Sequence, residues 1–289
     1  MLDIVISQIA NGLALGMLFV LIALGLSIIF GMLGIVNFTH GAFVALGAHF
    51  ALSLQLKFGW GAVIFAPLLA GFVGAVVEVV LIRRLYGREP LQALVLTFAL
   101  AMFCEALLQM IYGAGGQPFN VPPFLSGVVI AGPIFITKYR VAVIILTVCI
   151  LIAIWALLRL TPFGRVLRAG SRDAQMVELL GIRISAYLTG AFAFGCLLAG
   201  TAGVMAAPLW TVTPTMGASA ILPAFVIVTI GGLGSYAGAV IAGLLVGVVT
   251  ALAVQFAPQF SMISMYALMA VVLLVRPRGL LGERWEQFE

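Results

Sequence analysis

A chain of 289 residues that is 64% hydrophobic and only 8% charged has too few charged side chains to cover a soluble fold. Its apolar content excludes a disordered chain, and three isolated cysteines exclude a disulfide scaffold. A net charge of +5 does not point to nucleic acid, because no Lys or Arg precedes Lys57 and a basic arm is missing.

At roughly 20 apolar residues per helical crossing, the composition supplies roughly nine spans. The expected fold is therefore an all-α polytopic membrane protein: one domain over residues 1–289, about nine transmembrane helices (8–10), some of them broken. The N-terminus lacks the basic region of a signal peptide, so Ile4 onward reads as an uncleaved first span. No charged residue lies between Ile4 and Leu56, far too long a stretch for one crossing. The break is expected in GMLGIVNFTHG, Gly31 to Gly41, giving spans at Gln8–Phe30 and Asn37–Gln55. A third span runs from Trp60 to Ile82 and ends in RRLYGREP; a fourth, Leu91–Tyr112, contains Glu105. The Gly/Pro-rich loop 113–138 follows, and its VVIAGPIFI portion, split by Gly132-Pro133, reads as a surface hairpin. The fifth span is Arg140–Leu158, followed by a polar loop, 159–183. Ile184 to Val275 then contains no Asp, Glu, Lys, Arg or His; breaks at Pro208–Pro214, Gly231–Ser235 and Pro258 divide it into four spans.

With the N-terminus outside, the inner loops hold Arg83, Arg84, Arg88, Arg159, Arg165, Arg168, Arg172, Arg183, Arg276, Arg278 and Arg284. Only Lys57, Lys138 and Arg140 lie outside, so the positive-inside rule gives N-out, C-in, with 113–138 extracytoplasmic and 159–183 cytoplasmic. A faint repeat pairs Gly31-Met-Leu-Gly34 with Gly231-Gly-Leu-Gly234, each ending an inward-running span. Trp60 and Trp285 read as interfacial anchors. Cys104, Cys149 and Cys196, inside apolar runs, read as packing residues. The series Gly190–Gly195–Gly200 and Gly238–Gly243–Gly247 read as close helix contacts.

Loop 159–183 is the most informative segment. Ser171 is placed to cap a short helix, Asp173 lies in its first turn, and Gly181 ends it. Met176, Val177, Leu179 and Leu180 form an apolar side. Ten helical residues span roughly 15 Å, too little to cross the bilayer, so the helix lies at its face. It either rests on lipid as an interfacial helix or docks a cytoplasmic partner.

TPFGRVLRAGSRDAQMVELLGI resembles the cytoplasmic coupling loop of branched-chain amino acid ABC permeases, the LivH/LivM family. GLSIIFGMLGIVNFTHGAFVALGAH, IGGLGSYAGAVIAGLLVG and YALMAVVLLVRPRGLLG resemble the LivH branch, in the family's order over nearly the whole chain. The resemblance implies the inner-membrane permease of an importer working with a second, LivM-like permease subunit and an extracytoplasmic solute-binding protein. It also implies two cytoplasmic ATPases that bind ATP and Mg. It assigns the ATPase contact to Arg172, Asp173, Met176, Glu178, Leu179 and Gly181. The chain has no G-x-x-x-x-G-K-[ST], so no cofactor is expected in it.

Ionisable residues inside a membrane are costly and default to function. Glu105, with Gln109 one turn on and Thr97 two turns before, either lines a pathway and meets a substrate ammonium or is a carboxyl bonded to a neighbouring helix. Asn37, Thr39 and His40 flank the first break, as pathway or gate residues or as plain helix caps. Glu78 is expected to pair with Arg83 or Arg84, and His49 to be structural. No metal-binding or nucleophile–base set stands out, so the chain is expected not to be an enzyme. Three readings compete: an importer permease for branched-chain or neutral amino acids, or for urea or short amides; a proton-coupled carrier using Glu105 and His40; and, more weakly, an intramembrane enzyme or channel.

Overall fold

The computed structural model describes residues 2–282; Arg284 and Trp285, read above as an inner charge and an anchor, lie outside them. The described chain is mostly helical. Its helices are α1 (Leu2–Leu33), α2 (Thr39–Phe58), α3 (Ala62–Val80), α4 (Pro90–Tyr112), α5 (Lys138–Leu160), α6 (Pro162–Gly170), α7 (Ala174–Leu179), α8 (Ile184–Ala206), α9 (Met216–Gly231), α10 (Tyr236–Phe256) and α11 (Ser261–Val275). Before α5, β1 (Val128–Ala131) pairs antiparallel with β2 (Ile134–Thr137), Val128 opposite Thr137. This is the expected hairpin. Gly132, at φ +59°, takes the first turn position in the left-handed region that glycine enters freely, and Pro133 follows with its fixed φ.

Among the described residues seven stretches are long and apolar enough to cross a membrane, which makes this a multi-pass membrane protein. The sequence leads one to expect nine. The difference lies in two places: Thr39–Leu85 is one apolar stretch holding both α2 and α3, and α9 has only 16 residues.

α1 is the axis of the molecule. Its side chains from Leu18 to Ile29 are almost all fully buried, whereas α4 and α11 leave most of theirs exposed. Without a hydrophobic drive between helices in lipid, such contacts depend on backbones approaching closely at small residues. α10 meets α1 where Gly243 and Gly247 face Gly16 and Val20. α8 meets α2 at Gly200 and Gly47, and α3 at Cys196 and Gly74. The two glycine series predicted to serve packing do so, apart from Gly190, which meets the Phe163 ring.

The two ends of the bundle differ in charge. At one end Gly31 abuts Gly234, Gly170 packs on Met32 and Ile184, and the 276–282 tail folds over Gly232. Leu280 and Leu281 donate backbone bonds to Ile230 and Gly231, satisfying carbonyls at the end of α9. This end carries Arg83, Arg84, Arg88 and the arginines of 159–183. The other end carries the hairpin, Lys57, Lys138 and Arg140. The two Gly-Xaa-Leu-Gly breaks of the faint repeat therefore touch each other at the arginine-rich end.

Candidate translocation site

The first break lies deep in the bundle. The His40 Nε2–H donates to the Ile22 carbonyl at 2.9 Å, eleven residues, or roughly 16 Å, from the last residue of α1. That is about half of a hydrocarbon core. The chain thus turns back at Gly34, whose φ is +63°, runs inward without helix, and starts α2 near mid-depth. α9 starts deep as well. Its first turn packs against the first turn of α2, with Gly217 and Gly41 in backbone contact. Broken helices meeting at mid-depth are the arrangement that transporters use to build sites.

The backbone of this break is held by three of the expected residues. Asn37 Oδ1 accepts from Thr39 N at 3.0 Å, the Thr39 hydroxyl donates to the Thr97 carbonyl at 2.8 Å, and Thr97 Oγ1 accepts from Phe38 N at 3.3 Å. All three side chains are buried, and Thr97 is tied to the break. A bare backbone segment at this depth would leave amides unpaired, and Thr97 on α4 supplies the partner.

Between α2, α4 and α9 lies a cleft of about 90 Å³. Ala42 and Ala45 of α2, Phe98, Met102 and Glu105 of α4, and Gly217 of α9 are among its walls. Glu105 is half-buried there and Gln109, exposed, donates to it at 3.4 Å. Phe38 closes one end, its ring 6.0 Å from Phe98 and 5.0 Å from Phe225. The sequence reading missed these aromatics. Their signal is the helical spacing of Phe38, Ala42 and Ala45 against Phe98, Ala101 and Glu105.

His40 is not part of this cleft. It is fully buried against α1, where a Cβ on Gly25 would sit 2.8 Å from its ring, so His40 and Glu105 face different surfaces. His49 bonds the Ala45 carbonyl at 2.8 Å and packs on Tyr112, whose hydroxyl meets Ser53 at 2.5 Å.

Glu78 pairs with Arg83, as expected, with Nη2–Oε2 at 3.2 Å. Tyr86 also donates to Glu78 at 2.6 Å, and Arg83 reaches Thr189 of α8 at 2.5 Å, partners the sequence did not reveal. Burial, and then the bond to Glu78, push the Tyr86 phenol up. The carboxylate is fully buried while the guanidinium is 38% exposed. Arg83→Leu should therefore cost roughly 3 kcal/mol and the double change to Leu at both positions much less, read as thermal melting in detergent through a double-mutant cycle.

Loop 159–183 holds two helices, not the single one expected. Thr161 caps α6 by accepting from Gly164 N at 3.2 Å, Pro162 sits at its first position, and Arg168 bonds back to the Leu158 carbonyl. Ser171 belongs to the end of α6, its hydroxyl donating to Arg168 O at 3.0 Å. The cap of α7 is Asp173, which accepts from Met176 N at 2.9 Å from an extended backbone that leaves it outside the first turn. Gly181, at φ +80°, donates to Glu178 O and Ile182 to Val177 O, a Schellman stop. Of the four apolar residues, only Val177 turns inward; Met176, Leu179 and Leu180 are 54%, 82% and 73% exposed. Arg172 and Glu178 also lie at the surface.

Fold and site together define a polytopic helical protein with a broken-helix cleft and a short helix presented at its basic end. The family model for the branched-chain amino acid transport system / permease component matches residues 8–273, and the chain belongs to that family. It is 29% identical to the high-affinity branched-chain amino acid transport system permease protein LivH of Escherichia coli K12, over 96% of this chain and 95% of that one. Identity to the corresponding protein BraD of Pseudomonas aeruginosa is 28%, with the same coverage. Salmonella typhimurium LivM is 28% identical over 92% of this chain but 68% of its own length. No solved structure matches the chain.

Proposed function

We propose that this chain is the permease subunit of an ATP-binding-cassette importer in a bacterial-type inner membrane, carrying branched-chain or other neutral amino acids delivered by an extracytoplasmic solute-binding protein. The observation that carries the reading is α7, a helix capped at both ends whose Met176, Leu179 and Leu180 point away from the chain. A solvent-facing apolar patch on a rigid helix suits a protein partner. Of two cytoplasmic ATPases, binding ATP and Mg, one would dock there through Arg172, Asp173, Met176, Glu178, Leu179 and Gly181. A LivM-like second permease completes the pathway. In this reading α1–α5 and α8–α11 each cross or enter the membrane, with the N-terminus outside and the arginine-rich end in the cytoplasm.

The mechanism is mechanical. Closure of the ATPases displaces α6 and α7 as a unit. α6 is tied to α5 through Leu158 and to α8 through Gly170 and Ile184. α8 packs on both α2 and α3, so its movement alters the cleft between α2, α4 and α9. A zwitterion in that cleft would place its ammonium near Glu105, its carboxylate toward the first turn of α9, and its apolar side chain against Ala45 and Met102.

Glu105→Gln keeps the shape and removes the charge. It should raise the half-saturating leucine concentration roughly tenfold in ATP-loaded proteoliposomes, with ATP hydrolysis retained. Uptake of urea by the wild type with no uptake of leucine would move the substrate to short amides. Uptake driven by a proton gradient without ATP would replace the importer reading by the proton-coupled one.

A further inference from the structure

At the hairpin end, on the side of α1 that faces α5 and α10, lies a second cavity of about 220 Å³. Its rim is polar, with Gln8, Asn11 and Arg140; its walls are apolar, with Leu15, Ala251 and Val254. We infer that this cup binds the phosphodiester headgroup of an anionic phospholipid, an inference that does not rest on the transport reading.

Arg140 is half-buried, and its Nη1 donates to Asn11 Oδ1 at 2.5 Å. A guanidinium has five N–H donors, and among the described residues this one has no carboxylate partner; the Glu78–Arg83 pair lies at the opposite end. Asp3, the acid nearest in α1, is exposed and forms no ion pair with it. Gln8 donates to Gln255 at 2.9 Å, so the rim consists of neutral amides around one cation. A positive group held between neutral amides in a partly dehydrated cup calls for an anion with several acceptor oxygens, which a phosphodiester supplies.

The depth fits a headgroup. Ser7, beside Gln8, bonds the hairpin through Pro133 O and Phe135 N. Arg140 is in the first turn of α5 and Gln255 in the last turn of α10, so the rim lies where helices leave the hydrocarbon. Below it, Val254 is 55% exposed and carries the apolar wall onto the outer surface of α10, where an acyl chain would lie. Exposed Lys138, in the same first turn as Arg140, adds attraction for an anionic surface. A zwitterionic amino acid fits less well, because the cup holds no carboxylate for its ammonium.

The test uses the full chain, purified in mild detergent and placed in nanodiscs of phosphatidylcholine alone or with phosphatidylglycerol added. Phosphatidylglycerol retained after delipidation is counted by native mass spectrometry, and thermal stability is followed in parallel. The wild type is expected to retain phosphatidylglycerol over phosphatidylcholine, Arg140→Gln to lose that preference roughly fivefold, and Arg140→Lys to restore most of it. Gln8→Glu, which puts a carboxylate in the cup and leaves Arg140 in place, should lose it too, covering the case in which the Arg140 variant fails to fold. Equal retention in wild type and both charge variants would overturn the assignment. Stabilisation by inorganic phosphate equal to that by phosphatidylglycerol would overturn the lipid in favour of a free anion.

Discussion

Gly41→Val is expected to prevent the protein from accumulating in a folded, monodisperse form. A Cβ at position 41 runs into the carbonyl oxygen of Gly217, and Ile221 Cβ stands only 2.9 Å away on the next turn. The obstacle is backbone, which cannot rotate aside as a side chain tip would, and it lies where the first turns of α2 and α9 cross. Overpacking usually costs 1–3 kcal/mol; a β-branched group against backbone should cost at least ~3 kcal/mol, a large part of the stability of an ordinary domain. Size-exclusion chromatography with a thermal ramp in mild detergent reads this directly. Gly115→Ala is the control, because nothing lies within 4 Å of a Cβ there and its φ is not left-handed, and it should change melting by less than about 0.5 kcal/mol equivalent. A normal profile for Gly41→Val would mean that the crossing is looser than described and that the two breaks do not meet at mid-depth.

Leu179→Asp is expected to abolish ATP-driven uptake, by at least ~10-fold, while leaving expression, insertion and melting unchanged. At 82% exposure the side chain contributes almost nothing to packing within this chain, so a loss of uptake has to come from what covers it. Asp173→Ala is the complementary change. It removes the cap on Met176 N and should loosen α7 by about 1 kcal/mol, with a smaller loss of uptake. Uptake from Leu179→Asp membranes at the wild-type rate, in the presence of ATP, would remove α7 as the ATPase contact and leave it as a helix lying on lipid.

These two sites show how differently parts of the molecule are written into the sequence. The stops of α7 are local: an Asx cap at Asp173 and a left-handed glycine at Gly181 need only neighbouring backbone, so a single sequence suffices to place them. Even there, whether Ser171 or Asp173 is the cap depended on Thr161 and Pro162 starting a separate helix upstream. The break before α2 was equally legible from Gly31, Gly34 and Asn37, but its depth was not. Depth came from His40 reaching Ile22 and from Gly41 meeting Gly217, contacts between residues distant in the chain. Glu105 and His40 looked alike as intramembrane ionisable groups, and packing assigned them to different surfaces.

By itself the sequence determined the class of protein, the helix-rich segments, the breaks, the hairpin, a pairing of Glu78 with Arg83 or Arg84, and the charge asymmetry. Hydrophobic run length, turn residues and local capping are short-range properties that any one chain states on its own. Only the tertiary structure decided which breaks meet, that Thr97 is tied to the first break, which apolar residues of α7 remain outside, and that Arg140 sits in a cup without a counter-charge among the described residues. In lipid, helix association rests on backbone approach at small residues and on satisfying polar groups across helices, and with 33 glycines in the chain many pairings satisfy the pattern. The fold selects one of them.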